Sequence, residues 1–174
     1  MMRIAIIGNS GGGKSVLARR VAAELRLPCI EVDSILWLPG WQLASAEAYD
    51  REHARLIAQD QWVIEGLGNR ASLPARLQRA THIVLIDMPL WMHFWLAAER
   101  HIDWMAGRLE HPPAGSKKPA PLKGLFQTIA EVDREWMPEM RQLVADEENL
   151  GKQVFRLATL EELNSFLLSA LGSG

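Results

Sequence analysis

The octet Gly8-Asn9-Ser10-Gly11-Gly12-Gly13-Lys14-Ser15 lies between an apolar, β-branched run, Arg3-Ile4-Ala5-Ile6-Ile7, and a stretch with Leu17, Val21 and Leu25 at helical spacing. It fits G-x-x-x-x-G-K-[ST] at every fixed position. Glycines let backbone N–H groups converge on phosphate oxygens where a Cβ would intrude or a positive φ is needed. Lys14 brings a compact positive charge to the β- and γ-phosphates of a nucleotide, and the Ser15 hydroxyl can join a Mg2+ shell. The helix opening at Lys14 points its positive end at the anion. A strand enters the loop and a helix leaves it, which is the context the pattern requires and a chance glycine-rich turn lacks. Gly8 to Ser15, with Val16, form the expected nucleotide-binding segment.

Outward from the loop, the first helix is expected over 14–26. Pro28 then opens a strand over 29–32 that ends at Asp33. After a loop with the turn signal Pro39-Gly40, Ser45 caps a helix over 46–59. A third strand, 62–64, ends in Glu65-Gly66, and Ser72 caps a short helix with Pro74 in its first turn. Ile83-Val84-Leu85-Ile86 is apolar on both faces, as in the interior of a parallel sheet covered by helices, and ends at Asp87. A long amphipathic helix follows over 89–110. His111 to Pro121 holds four prolines and one glycine, which reads as an irregular excursion or lid over 108–121. A helix over 123–147, interrupted near Pro138, leads to a strand over 154–157. The last helix opens with the capping box Thr159-Leu160-Glu161-Glu162 and stops at Gly172. Strands alternating with helices predict an α/β fold: a three-layer, doubly wound, five-stranded parallel sheet, with residues 1–174 as one domain.

Bulk properties narrow the function classes. Net charge is -2, so no global field draws the chain to nucleic acid or acidic membranes. The single cysteine, Cys29, excludes a disulfide framework and a cysteine-rich zinc site, and its place beside an apolar strand predicts a buried structural thiol. No run approaches 18 apolar residues, and the N-terminus reads as a core strand rather than a leader; a cytoplasmic protein without membrane spans is expected. Of seven tryptophans, Trp91, Trp95, Trp104 and Trp136 lie in the second half. They serve helix packing, or one or two of them stack on a base or close a lid.

In doubly wound sheets ligands lie outside the carboxyl ends of the strands. Gly8, Asp33, Glu65 and Asp87 each sit just past a strand, so their polar groups are expected on one edge. Asp87 reads either as an acid holding Mg2+ together with Ser15 or as a cap for the next helix. Asp33 reads as the group that orients or deprotonates an acceptor hydroxyl, or as a turn residue. Glu65 and Gly66 contact acceptor or metal, or serve the turn. Arg100 and Arg108 border the proline-rich segment and are the expected arginines for charge on a transferring phosphoryl group; the alternative is solvated surface charge. The five histidines show no metal-ligand spacing.

The chain resembles the P-loop nucleoside and nucleotide kinases, specifically the adenylate-kinase-related proteins labelled DNA topology modulation (FlaR-like). G-N-S-G-G-G-K-S at 8–15, E-V-D-S-I-L-W-L-P-G-W at 31–41, W-V-I-E-G at 62–66 and L-I-D-M-P-L-W at 85–91 carry the resemblance. It implies a five-stranded parallel sheet, an acceptor-binding helical insertion over 34–60 shaped in part by Trp37 and Trp41, and an arginine-bearing lid. Val16, Leu90 and Glu65-Gly66-Leu67-Gly68-Asn69 depart from residues common in that family.

These readings together predict ATP- and Mg2+-dependent phosphoryl transfer to a small-molecule acceptor, by a monomer or homodimer. Only Arg51 and Arg55 lie in the 34–60 region, which favours an uncharged or weakly charged acceptor over a nucleoside monophosphate. The alternative is a nucleotide-binding regulatory protein with little kinase activity. Lacking a basic stripe beyond Lys117, Lys118 and Lys123, the chain is not expected to bind DNA directly.

Overall fold

A computed structural model describes residues 1–38, 42–110, 119 and 121–169. Five parallel strands form the main sheet: β1 (Arg3–Gly8), β2 (Cys29–Glu31), β5 (Trp62–Glu65), β6 (His82–Ile86) and β7 (Gln153–Leu157). Their order is β2-β5-β1-β6-β7. Side chains alternate as the pleat demands. Along β1, Ala5 and Ile7 join one buried cluster, and Ile4 and Ile6 the other. Along β6, Ile83 and Leu85 face the first cluster, Val84 and Ile86 the second. Strands buried on both faces need helices on both sides. On one side Tyr49 and Leu56 of α3 (Ala46–Ile57), Leu77 of α4 (Leu73–Arg79) and Met140 and Val144 of α7 (Met137–Asn149) cover the sheet. On the other lie Leu17 and Val21 of α1 (Lys14–Leu25) with Leu163 and Phe166 of α8 (Leu160–Ser169). The architecture is the expected three-layer α/β sheet.

Two capping signals act as read, and a third does not: Ser72 makes no side-chain cap bond, because its hydroxyl donates back to the Asn69 carbonyl at 2.7 Å. The Ser45 hydroxyl accepts from the Ala48 N–H at 3.2 Å. Thr159 and Glu162 exchange the two bonds of a capping box, 3.1 Å each. Other expectations change. Asp33 opens a short helix, α2 (Asp33–Leu36), and an antiparallel pair follows, β3 (Trp37–Leu38) with β4 (Gln42–Leu43), where only a loop was expected. The long helix expected to 110 ends earlier: α5 spans Leu90–Met105, because Gly107 adopts φ +70 and turns the chain away. The helix expected over 123–147 divides into α6 (Leu122–Glu131), a π-turn at Val132–Trp136, and α7. Pro138, with no N–H to give the preceding turn, sits in the first turn of α7.

Cys29 is exposed rather than buried, since β2 is an edge strand. Partial burial and the carboxylates of Glu65 and Glu31 raise its thiol pKa, the opposite of nucleophile activation. Trp91 and Trp95 are 62% and 60% exposed on α5 and lie mostly outside the helix packing; among the described residues the fully buried tryptophan is Trp62. Among the described residues no helix is long and apolar enough to cross a membrane. Trp41, Lys117, Lys118, Gly172 and most of the 108–121 segment lie outside the described residues.

Candidate phosphate-binding and acceptor site

The carboxyl edge of the sheet is built around the end of β1. Gly8 has φ +140, and a Cβ there would lie 2.4 Å from the Ile86 carbonyl oxygen of β6. Only glycine lets β1 leave the sheet so close to its neighbour. At Gly11, φ is +73 and a Cβ would lie 2.7 Å from the His93 carbonyl oxygen of α5. The loop is pressed against that helix, and the motif glycines serve the protein side of the loop as well as any ligand.

Lys14 opens α1 with its side chain turned back into the loop, where Nζ donates to the Asn9 carbonyl at 2.7 Å. An ammonium has three donors, so two N–H groups remain for an anion. Burial drives its pKa down; Glu65 and Asp33 oppose this, and the Arg100 and Arg76 charges reinforce it. Ser15, one residue on, donates from Oγ to Glu65 Oε1 at 2.8 Å. Glu65 is the last residue of β5 and is 3% exposed. Burial raises its pKa, Lys14 pulls it back, Asp33 adds to the rise, and the Ser15 hydrogen bond lowers it. Asp33 closes the group: its Oδ1 accepts the Gly68 N–H at 3.2 Å, beside Gly66.

The edge therefore brings together Lys14, Ser15, Asp33, Glu65 and Gly66, with the Arg100 charge within reach of Lys14. Asp87 is placed differently. Its carboxylate receives both arms of the Arg141 guanidinium, at 2.7 and 2.9 Å, so the acid that meets Ser15 is Glu65 and not the one expected there. Arg108 is exposed and bonded to Asp103 on its own helix end, at 2.7 and 3.1 Å, and is not drawn to the loop. Val16 is 61% exposed in the first turn of α1.

Three supporting residues were not singled out from the sequence in these roles. Asn9, fully buried, accepts the Ser10 N–H on Oδ1 at 2.7 Å and donates from Nδ2 to the Ile129 carbonyl of α6 at 2.9 Å. His93 on α5 reaches the Ser10 carbonyl through Nδ1 at 3.0 Å. A carbonyl only accepts, so Nδ1 carries the proton. Arg76 of α4, fully buried, donates to the carbonyls of Gly66 and Leu67 at 2.9 and 3.0 Å and holds the loop after Glu65. A polar residue inside an otherwise apolar helix face was the available signal for His93 and Arg76, but it names no partner.

A cavity of about 460 Å³ opens beside the loop, bordered by Ser10, Trp37, Arg100, Trp104 and Leu125. Volumes of about 300–1,000 Å³ are usual for small-molecule sites. The donor set fits a nucleotide: a glycine loop, a buried ammonium with free N–H groups and the N-terminus of a twelve-residue helix suit phosphate oxygens. A serine hydroxyl next to a carboxylate suits Mg2+, which takes oxygen ligands and keeps several waters.

No protein-family model matches the chain, and no curated protein matches it by sequence. Solved structures do. Shikimate kinase from Acinetobacter baumannii in complex with shikimate aligns over 98% of this chain and 95% of its own, at a TM-score of 0.60 and 13% identity. A shikimate kinase from Aquifex aeolicus aligns over 97% and 95%, at 0.46 and 22%, and a gluconokinase from Sinorhizobium meliloti over 81% and 97%, at 0.45 and 17%. The first of these likenesses establishes the fold, which this chain shares with that shikimate kinase. The narrower topology-modulation resemblance is not established by them.

Proposed function

We propose that the protein is an ATP- and Mg2+-dependent kinase of a small hydroxyl compound. One observation carries the reading: the phosphate loop with its buried Lys14, the Ser15–Glu65 pair and Asp33 meet at one sheet edge beside a cavity of ligand size. The loop N–H groups and Lys14 hold the triphosphate, and Arg100 offsets charge that spreads over the transferring group. Ser15 and Glu65 are the residues that would hold Mg2+, which when bound neutralises phosphate charge. Asp33 orients the acceptor hydroxyl and takes its proton as that oxygen bonds to the γ-phosphorus; the bond to the β,γ-bridging oxygen breaks and ADP leaves. The residues over 34–60 form the acceptor-side insertion and those over 108–121 the lid of this single unit.

The test is ATP consumption with an acceptor panel by wild type and Lys14→Ala. The variant is expected to lose on the order of 10²–10³-fold in turnover with an unchanged circular dichroism spectrum. Equal rates would sink the reading.

A further inference from the structure

The walls of the cavity come from two helix faces. Ala97, Arg100, His101 and Trp104 of α5 recur at three- and four-residue spacing, and so do Pro121, Gly124, Leu125 and Thr128 at and along α6. Phe94 and Phe126, with ring centroids 4.9 Å apart, pin the two helices beside the slot. Ser10 of the phosphate loop also lines the slot, as does Trp37, four residues after Asp33 in the chain. Two indoles with Ala97, Pro119, Pro121 and Leu125 make the lining mostly apolar; the polar side chains on it among the described residues are Ser10, Arg100, His101 and Thr128, whose hydroxyl already donates to the Gly124 carbonyl at 3.1 Å. Arg100 is the only arginine or lysine lining the cavity among the described residues, and its charge is already shared with Glu31, Glu65 and Asp33.

We infer that the acceptor is a hydroxyl compound with a flat, apolar or aromatic body bearing at most one negative charge; this rests on the kinase reading above. The hydroxyl lies toward Asp33 and Ser10, and the body lies between Trp37, Trp104 and Leu125. A polyhydroxylated acid is disfavoured, because each hydroxyl buried without a partner weakens binding on the order of tenfold. A monophosphate is disfavoured because, among the described residues, its double charge meets one lining guanidinium whose charge is already offset by Glu31, Glu65 and Asp33.

The test uses the full chain with saturating ADP and Mg2+ and measures binding calorimetrically for four probes: thymidine, 3-(hydroxymethyl)benzoate, gluconate and thymidine 5'-monophosphate. The first two are expected to bind at least tenfold tighter than the last two. Trp104→Ala should weaken their binding at least tenfold, and Trp104→Phe should restore most of it, with ADP affinity unchanged in both. Tighter binding of gluconate or the monophosphate overturns the inference, and so does failure of all four to bind. Competition between ADP and the aromatic probes also overturns it, since the slot would then take the donor's base. ADP release from ATP separates the two readings. Aromatic probes that bind as expected without stimulating it leave the slot assigned and remove the kinase reading. Phosphorylation of gluconate or the monophosphate in preference keeps the kinase reading and removes the acceptor class.

Discussion

His53 sits almost fully buried on α3, its ring stacked on Tyr49 at 5.6 Å between centroids, and its Nε2 has no hydrogen-bond partner among the described residues. Burial, helped by the nearby Arg76 charge, pushes its pKa from 6.5 to about 4. The folded value lies below the unfolded one. The neutral ring's contribution is therefore fully present above pH 6.5 and is lost as pH falls from 6.5 toward 4. Urea midpoints should drop over that window, and His53→Phe should flatten the drop in part; His82 and His93, whose pKa values burial also lowers, add to the drop, and Glu65, whose pKa burial raises, works against it. A wild-type-to-variant difference that stays constant across pH would refute the assignment. Lys14 obeys the same physics with a different purpose. An ammonium kept from water is weakly compensated until an anion arrives, and it then attracts that anion more strongly than a solvated one would.

At the scale of elements, α5 is the buttress of the phosphate loop. Its backbone stands where a Cβ on Gly11 would go, and the His93 ring where a Cβ on Gly12 would go, while His93 binds the Ser10 carbonyl. His93→Ala unpairs that carbonyl and opens space behind the loop. ADP affinity should fall about tenfold with little change in far-UV circular dichroism. Unchanged affinity would mean the loop holds its own shape. Elements also differ in how far they could be read from the chain. The Thr159–Glu162 box was legible because its partners are three residues apart, and the loop because its glycines and lysine are contiguous. His93 meets Ser10 across 83 residues and Asp87 meets Arg141 across 54, so no local pattern announces either pair. The hairpin of β3 and β4 went unread because two-residue strands carry no alternation to detect.

For the whole molecule, nucleotide binding is linked to folding, since the loop, α5, α6 and β5 meet only in the folded chain. ADP with Mg2+ at a hundred times its dissociation constant should stabilise the fold by about 2.7 kcal/mol, read as an upward shift in melting temperature. Lys14→Ala should lose that shift, and a shift of equal size in the variant would place the nucleotide elsewhere. The amino-acid sequence by itself determined the five strands of the main sheet, the caps at Ser45 and Thr159, and the phosphate loop. These depend on periodicity and on neighbours within a few residues. Tertiary structure alone decided which carboxylate serves the loop. Glu65 and Asp87 both follow apolar strands and look alike in the chain. The order β2-β5-β1-β6-β7 sets β5 and β6 on opposite flanks of β1. The β5 flank, in register from Arg3 beside Trp62 to Ile6 beside Glu65, delivers Glu65 to Ser15. On the β6 flank Asp87 meets α7, where the Arg141 guanidinium takes it up.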